Sequence, residues 1–165
     1  LDMEPDLANS YDVSEDGLVY TFYLRKGVLW HDGQPFTAED VKYTFDTLSD
    51  PKTNTVRRQH YIVGGKPIQW EVRDSHTITA TLSQPYSPFI SVMNMEILPK
   101  HLLADQDINT ASFNRAPVGT GPFRFKEWKA GQYVHLVRNE AFHKGPAKRR
   151  TRLGTRHTLR AAACR

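Results

Sequence analysis

His31-Asp32 is the pair in this sequence that most invites chemistry, because a carboxylate beside an imidazole can fix its tautomer for proton transfer or metal ligation. Nothing completes that site. Neighbouring residues of a strand point to opposite faces, and no second His or Glu follows at the spacing that puts two ligands on one helix face. The seven histidines, at 31, 60, 76, 101, 135, 143 and 157, are scattered along the chain. His31-Asp32 therefore reads as a structural turn, and neither a metal site nor a cofactor is expected.

Nucleophilic chemistry fares no better. No serine sits in a Gly-x-Ser-x-Gly elbow. The single cysteine, Cys164, lies one residue from the C-terminal end, so it can form no intramolecular disulfide or Cys-based metal site, and its surroundings offer nothing to lower its thiol pKa. Gly119-Thr120-Gly121-Pro122 has the glycines of half a phosphate cradle, but no Lys-Ser/Thr follows and Pro122 removes one N–H donor. It reads as a tight turn, one that can also approach a ligand. No catalytic residue is assigned, and the chain is expected not to be an enzyme.

The elements that must position these residues follow from periodicity. Leu18, Tyr20, Phe22 and Leu24 alternate with Val19, Thr21, Tyr23 and Arg25, the period of a strand with one buried face. Asp16-Gly17 just before it predicts a hairpin back to residues 11–14. Thr37 with Asp40 three residues on is a helix start, Val41, Phe45 and Leu48 recur at helical spacing, and Pro51 ends the helix near Asp50. Ile68, Trp70 and Val72, then Ile78, Ala80 and Leu82, predict a second hairpin around Asp74-Ser75. Ser87-Pro88-Phe89 predicts a helix start with proline first, feeding an apolar stretch to Ile97, and Pro99 opens a short helix through Leu103. Phe123 and Phe125, then Val134 and Leu136, form a third strand pair about Ala130-Gly131. Trp30, Trp70 and Trp128 occupy positions where burial is expected. Hairpins and helices alternating irregularly make the fold class α+β.

With 39% hydrophobic and 11% aromatic residues in 165, the body can build an ordinary core. Charge divides the chain in two. Residues 144–165 hold eight of the 22 basic residues and no acid, which leaves 14 basic against all 18 acidic residues in 1–143, a net of −4. Both hydrophobic periods stop at Lys144, so residues 144–165 are expected to be a disordered basic tail, and residues 1–143 the folded part. A basic arm is a known device for nucleic acid or anionic surfaces; an interaction or nucleic-acid-binding module using the tail is thus the competing reading, although no nucleic-acid partner is expected. No stretch approaches the length of a membrane span, and Leu1-Asp2-Met3-Glu4-Pro5 has no signal-peptide character.

Several long segments taken together resemble the family 5 bacterial extracellular solute-binding proteins. They are SYDVSEDGLVYTFYLRKGVLWHDGQPFTAEDVKYTF at 10–45, TITATLSQPYSPF at 77–89, ILPKHLL at 97–103 and FNRAPVGTGPFRFKEWKAGQYVHLVRNEAF at 113–142. The resemblance implies a periplasmic-binding-protein-like fold of the class with an extra subdomain, present in part as the hairpins and short helices of one lobe. It implies a solute-binding component of an ABC importer, located in the periplasm or otherwise outside the cytoplasm. The expected partners are a peptide or similar small polar solute and an ABC permease. From the resemblance, Tyr61 is expected to stack on or hydrogen-bond ligand, Asn94 to offer an amide, and Thr120 and Gly121 to present backbone groups to ligand or absorb hinge rotation. The sequence after Pro146 departs from the family pattern, as a frame-shifted or vector-derived end would. Strands at 122–138 cut off from further neighbours are expected to favour self-association.

Overall fold

The computed structural model describes residues 6–146. They form two compact units, residues 6–26 with 37–109, and residues 27–36 with 110–146. Of the basic tail only 144–146 fall among these residues, so the expectation for the rest lies outside the described chain.

The first unit is built on an antiparallel sheet of β1 (Ala8–Val13), β2 (Val19–Leu24), β5 (Gln69–Asp74) and β6 (Thr77–Thr81), ordered β1-β2-β6-β5. The predicted hairpin turn between β1 and β2 is present, with Gly17 at φ 69° and the Asp16 carboxylate accepting from Ser14 Oγ and from the Leu18 N–H. Alternation along β2 sends Tyr20, Phe22 and Leu24 inward. Opposite them lies α1 (Ala38–Ser49), whose Val41, Phe45 and Leu48 form its buried stripe as the helical spacing predicts. Phe45 stacks on Trp70 of β5 at 4.3 Å and 9° between planes, and Phe22 and Phe89 complete an aromatic cluster around the indole. The buried Trp70 Nε1 has no hydrogen-bond partner among the described residues, so this tryptophan serves as apolar bulk.

The start of α1 carries the capping box that Thr37 and Asp40 predict: the Asp40 carboxylate accepts from the Thr37 N–H at 2.9 Å. That carboxylate is only 4% exposed and has a second duty. Its other oxygen accepts from the Lys100 N–H at 3.0 Å, at the head of α3 (Lys100–Leu103). One turn on, Thr44 Oγ1 donates to the Asp40 carbonyl and accepts from the Leu98 N–H. Residues 98–100 are thus fastened to α1 by two buried side chains.

That fastening explains one departure from expectation. The apolar run after Phe89 does not continue as helix to Ile97: α2 is Phe89–Val92, capped by Pro88 rather than beginning on it. The Val92 carbonyl, which a further turn would use, accepts from the Tyr61 hydroxyl, and the Leu98 N–H is held by Thr44. Tertiary partners outbid local propensity. A small hairpin also went unread in the sequence, β3 (Ile62–Val63) with β4 (Lys66–Pro67), although Gly64-Gly65, both at positive φ, is a hairpin signal.

The second unit contains β7 (Phe123–Lys129) and β8 (Tyr133–Arg138), a two-stranded antiparallel ribbon turning at Gly131 as predicted. Val28, Trp30 and Phe36 are buried. Trp128 is not: it is 48% exposed, against the expectation of burial. β7 pairs only with β8, so no further strand adjoins it among the described residues.

Candidate functional site

In the first unit, residues 58–61 form a 3-10 turn after α1. Three backbone carbonyls, of Asp50, Pro51 and Thr53, accept from the Arg58 guanidinium and fix the path of the loop leading into it. The turn delivers Tyr61 inward. Its ring packs on Phe45 at 5.2 Å, its hydroxyl donates to the Val92 carbonyl at 3.3 Å, and the residue is 1% exposed. Burial pushes its hydroxyl pKa up; Arg57 opposes this and Glu96 adds to it.

Asn94 lies on the exposed surface two residues beyond that carbonyl. Arg57 Nη1 reaches Met95 Sδ at 3.0 Å, so the loop at 57–61 and the segment at 92–96 are joined at two points. Arg57, Asn94 and Glu96 of these two segments are exposed. Their side chains are a guanidinium with five N–H donors, an amide that both donates and accepts, and a carboxylate. Glu96 was missed in the sequence because its only signal is proximity to Asn94, and a lone surface acid is uninformative.

In the second unit, Thr120 and Gly121 are half-buried and lie in a bend before β7. The glycines do not make the tight turn expected of them. Neither Gly119 nor Gly121 has positive φ; a Cβ on Gly119 would make ordinary contact with His31 at 3.5 Å, and one on Gly121 would meet open space. What shapes the bend is His31. Its N–H donates to the Gly119 carbonyl at 2.9 Å. Its ring Nδ1 accepts from the Gly119 N–H at 3.1 Å, and its Nε2 lies 2.9 Å from the Gly121 carbonyl. Asn139 Nδ2 donates to that same carbonyl at 3.0 Å, and the Asn139 N–H to the Pro122 carbonyl. His31-Asp32 is indeed in a turn, and the histidine is the hub of a network reaching across some 90 residues of sequence. Burial pulls the His31 pKa below its ordinary value; the Gly121 carbonyl and Asp32 oppose this, while Arg124 reinforces it.

No three His, Cys, Asp or Glu side chains among the described residues are grouped to hold a metal ion. No helix among them is long and apolar enough to cross a membrane.

Comparison with known proteins agrees with this architecture. Protein XP55 of Streptomyces lividans is 40% identical over 140 residues, covering 84% of this chain and 25% of the relative. Among solved structures, NikZ from Campylobacter jejuni in complex with Ni(L-His) superposes with a TM-score of 0.83 at 42% identity, over 88% of this chain and 29% of that one. The oligopeptide-binding protein AppA from Bacillus subtilis, in complex with a nonapeptide, does so with a TM-score of 0.78 at 31% identity, over 85% and 28%. The chain spans about a quarter of the length of the curated relatives it matches. The fold is thus that of part of a periplasmic binding protein, as the family resemblance implied. Since residues 2–151 match the family described as "Bacterial extracellular solute-binding proteins, family 5 Middle", this chain belongs to the family 5 bacterial extracellular solute-binding proteins.

Proposed function

We propose that this chain is part of the solute-binding component of an ABC import system, a protein that captures peptides or similar small polar solutes outside the cytoplasm and delivers them to a membrane permease. The observation that carries the reading is likeness in sequence and fold together to proteins described with a nonapeptide or a nickel–histidine complex bound. Binding without chemistry fits the residues. The Ser75 hydroxyl and His76 Nδ1, 2.8 Å apart, are chain neighbours in an exposed hairpin turn, and the His31 imidazole is engaged by backbone groups on both ring nitrogens.

Each unit offers its own contacts. In the first, Asn94 with Arg57 and Glu96 supplies exposed polar groups, and Tyr61 acts from beneath by holding the Val92 carbonyl and hence the segment that carries Asn94. In the second, Thr120 and Gly121 offer backbone groups in a bend held from behind by His31 and Asn139. The test is calorimetric titration of a nonapeptide, a dipeptide and Ni(L-His) into the protein at the full length of its relatives. Saturable 1:1 binding of at least one is expected, weakened about tenfold by Asn94→Ala, the effect of one lost hydrogen bond. Absence of saturable binding to any of the three would overturn the reading.

A further inference from the structure

The partners of His31 determine its protonation state by elimination. A backbone N–H can only donate, so Nδ1, facing the Gly119 N–H at 3.1 Å, carries no proton. A carbonyl can only accept, so Nε2, 2.9 Å from the Gly121 oxygen, does carry one. The neutral Nε2–H tautomer makes both bonds at once; the imidazolium cannot, because its added Nδ1–H would point at another N–H.

We propose that His31 is a positioning residue that latches the 119–121 bend in its neutral form and releases it on taking up a proton at Nδ1. The proton comes from solvent, and the bond that is lost is Gly119 N–H to Nδ1. The bond from Nε2–H to Gly121 can survive protonation, so the change is centred on Gly119. The charged groups facing the histidine are Arg124, whose Nη1 is 3.5 Å from the His31 carbonyl, and Asp32 on its own loop. They act in opposite directions, Arg124 against the cation and Asp32 for it. Burial is the largest influence and also opposes the cation. With the folded pKa below the ordinary 6.5, the unfolded or released state binds the proton first as pH falls. The latch is therefore complete above about pH 6.5 and weakens progressively below it.

The consequence for ligand binding rests on the assignment of Thr120 and Gly121 as contacts, whereas the latch itself is read from backbone exchange and ring nitrogens without any ligand, so the two readings fail separately. The experiment is ¹⁵N NMR on the full 165-residue chain. At neutral pH the His31 ring should show an unprotonated Nδ1 and a protonated Nε2. Protection of the Gly119 amide, taken relative to its intrinsic exchange rate at each pH, should fall about tenfold between about pH 7 and about pH 5, while that of Thr79 in β6 holds. His31→Asn places an amide oxygen near the Nδ1 position and does not titrate, so it should keep Gly119 protected at both pH values; His31→Ala should lose that protection at both. A protonated Nδ1 at neutral pH, a flat Gly119 profile in the unsubstituted chain, or a fall shared equally by Thr79 would each overturn the latch. The first two measurements need no variant to fold.

Discussion

Both β2 and β7 alternate apolar with polar residues, and their environments could hardly differ more. β2 lies inside a four-stranded sheet with α1 across one face, so its Tyr20, Phe22 and Leu24 are buried. Among the described residues β7 pairs only with β8, and Phe123 and Trp128 stand 38% and 48% exposed. Alternation states which side of a strand is apolar; only the existence of a second layer decides whether that side is covered. An isolated two-stranded ribbon is marginal in water, so the first unit should supply most of the stability and the second most of the stickiness.

The sharpest way to break this contrast is to hollow out the first unit. Phe45→Ala removes the partner stacked on Trp70 and should cost about 3–5 kcal/mol, the range for truncating a buried aromatic, read as a lowered midpoint in urea unfolding. Trp70→Phe should cost far less, since the indole N–H has no partner to lose. Equal effects of the two changes would mean the cluster is not the core.

Next comes Asp40→Ala, which leaves the Thr37 and Lys100 N–H groups without their carboxylate. A loss of about 2–3 kcal/mol is expected from the cap and one orphaned buried donor together. Asp40→Asn should recover part of it, and a loss confined to the cap alone would show that residues 98–100 do not depend on α1.

The smallest effect on stability belongs to β7. We expect Trp128→Ser to shift the unfolding midpoint by less than about 0.5 kcal/mol, while reducing self-association measured by light scattering at high concentration. A monomeric unsubstituted chain, or a large stability change on this substitution, would show that the ribbon is covered after all.

How far the sequence could be read follows the same contrast. The hairpins at Gly17 and Gly131, the capped start of α1 and its Val41-Phe45-Leu48 stripe rest on interactions a few residues apart, and they are legible for that reason. The length of α2 was not, because its continuation was displaced by Tyr61 and Thr44, distant in sequence. The shape of the 119–121 bend was not either. The glycines suggested a local cause, and the cause is an imidazole 88 positions earlier. For the same reason the contact between Arg57 and Met95 and the hub role of His31, each made across tens of residues, leave no local mark in the sequence.

The fastening of α1 to residues 98–100 has a consequence for the order of assembly. The Lys100 N–H meets Asp40 across 60 positions and the Leu98 N–H meets Thr44 across 54, closures that are slow relative to a helix turn or a hairpin because so much chain must be brought round first. Until they close, the first turn of α1 holds a carboxylate that still lacks the Lys100 N–H and is free to stay hydrated. The helix can therefore start early, but its charged end is sealed from water only when the last segment of the unit arrives, which makes that seal a late event in folding and an early one in unfolding.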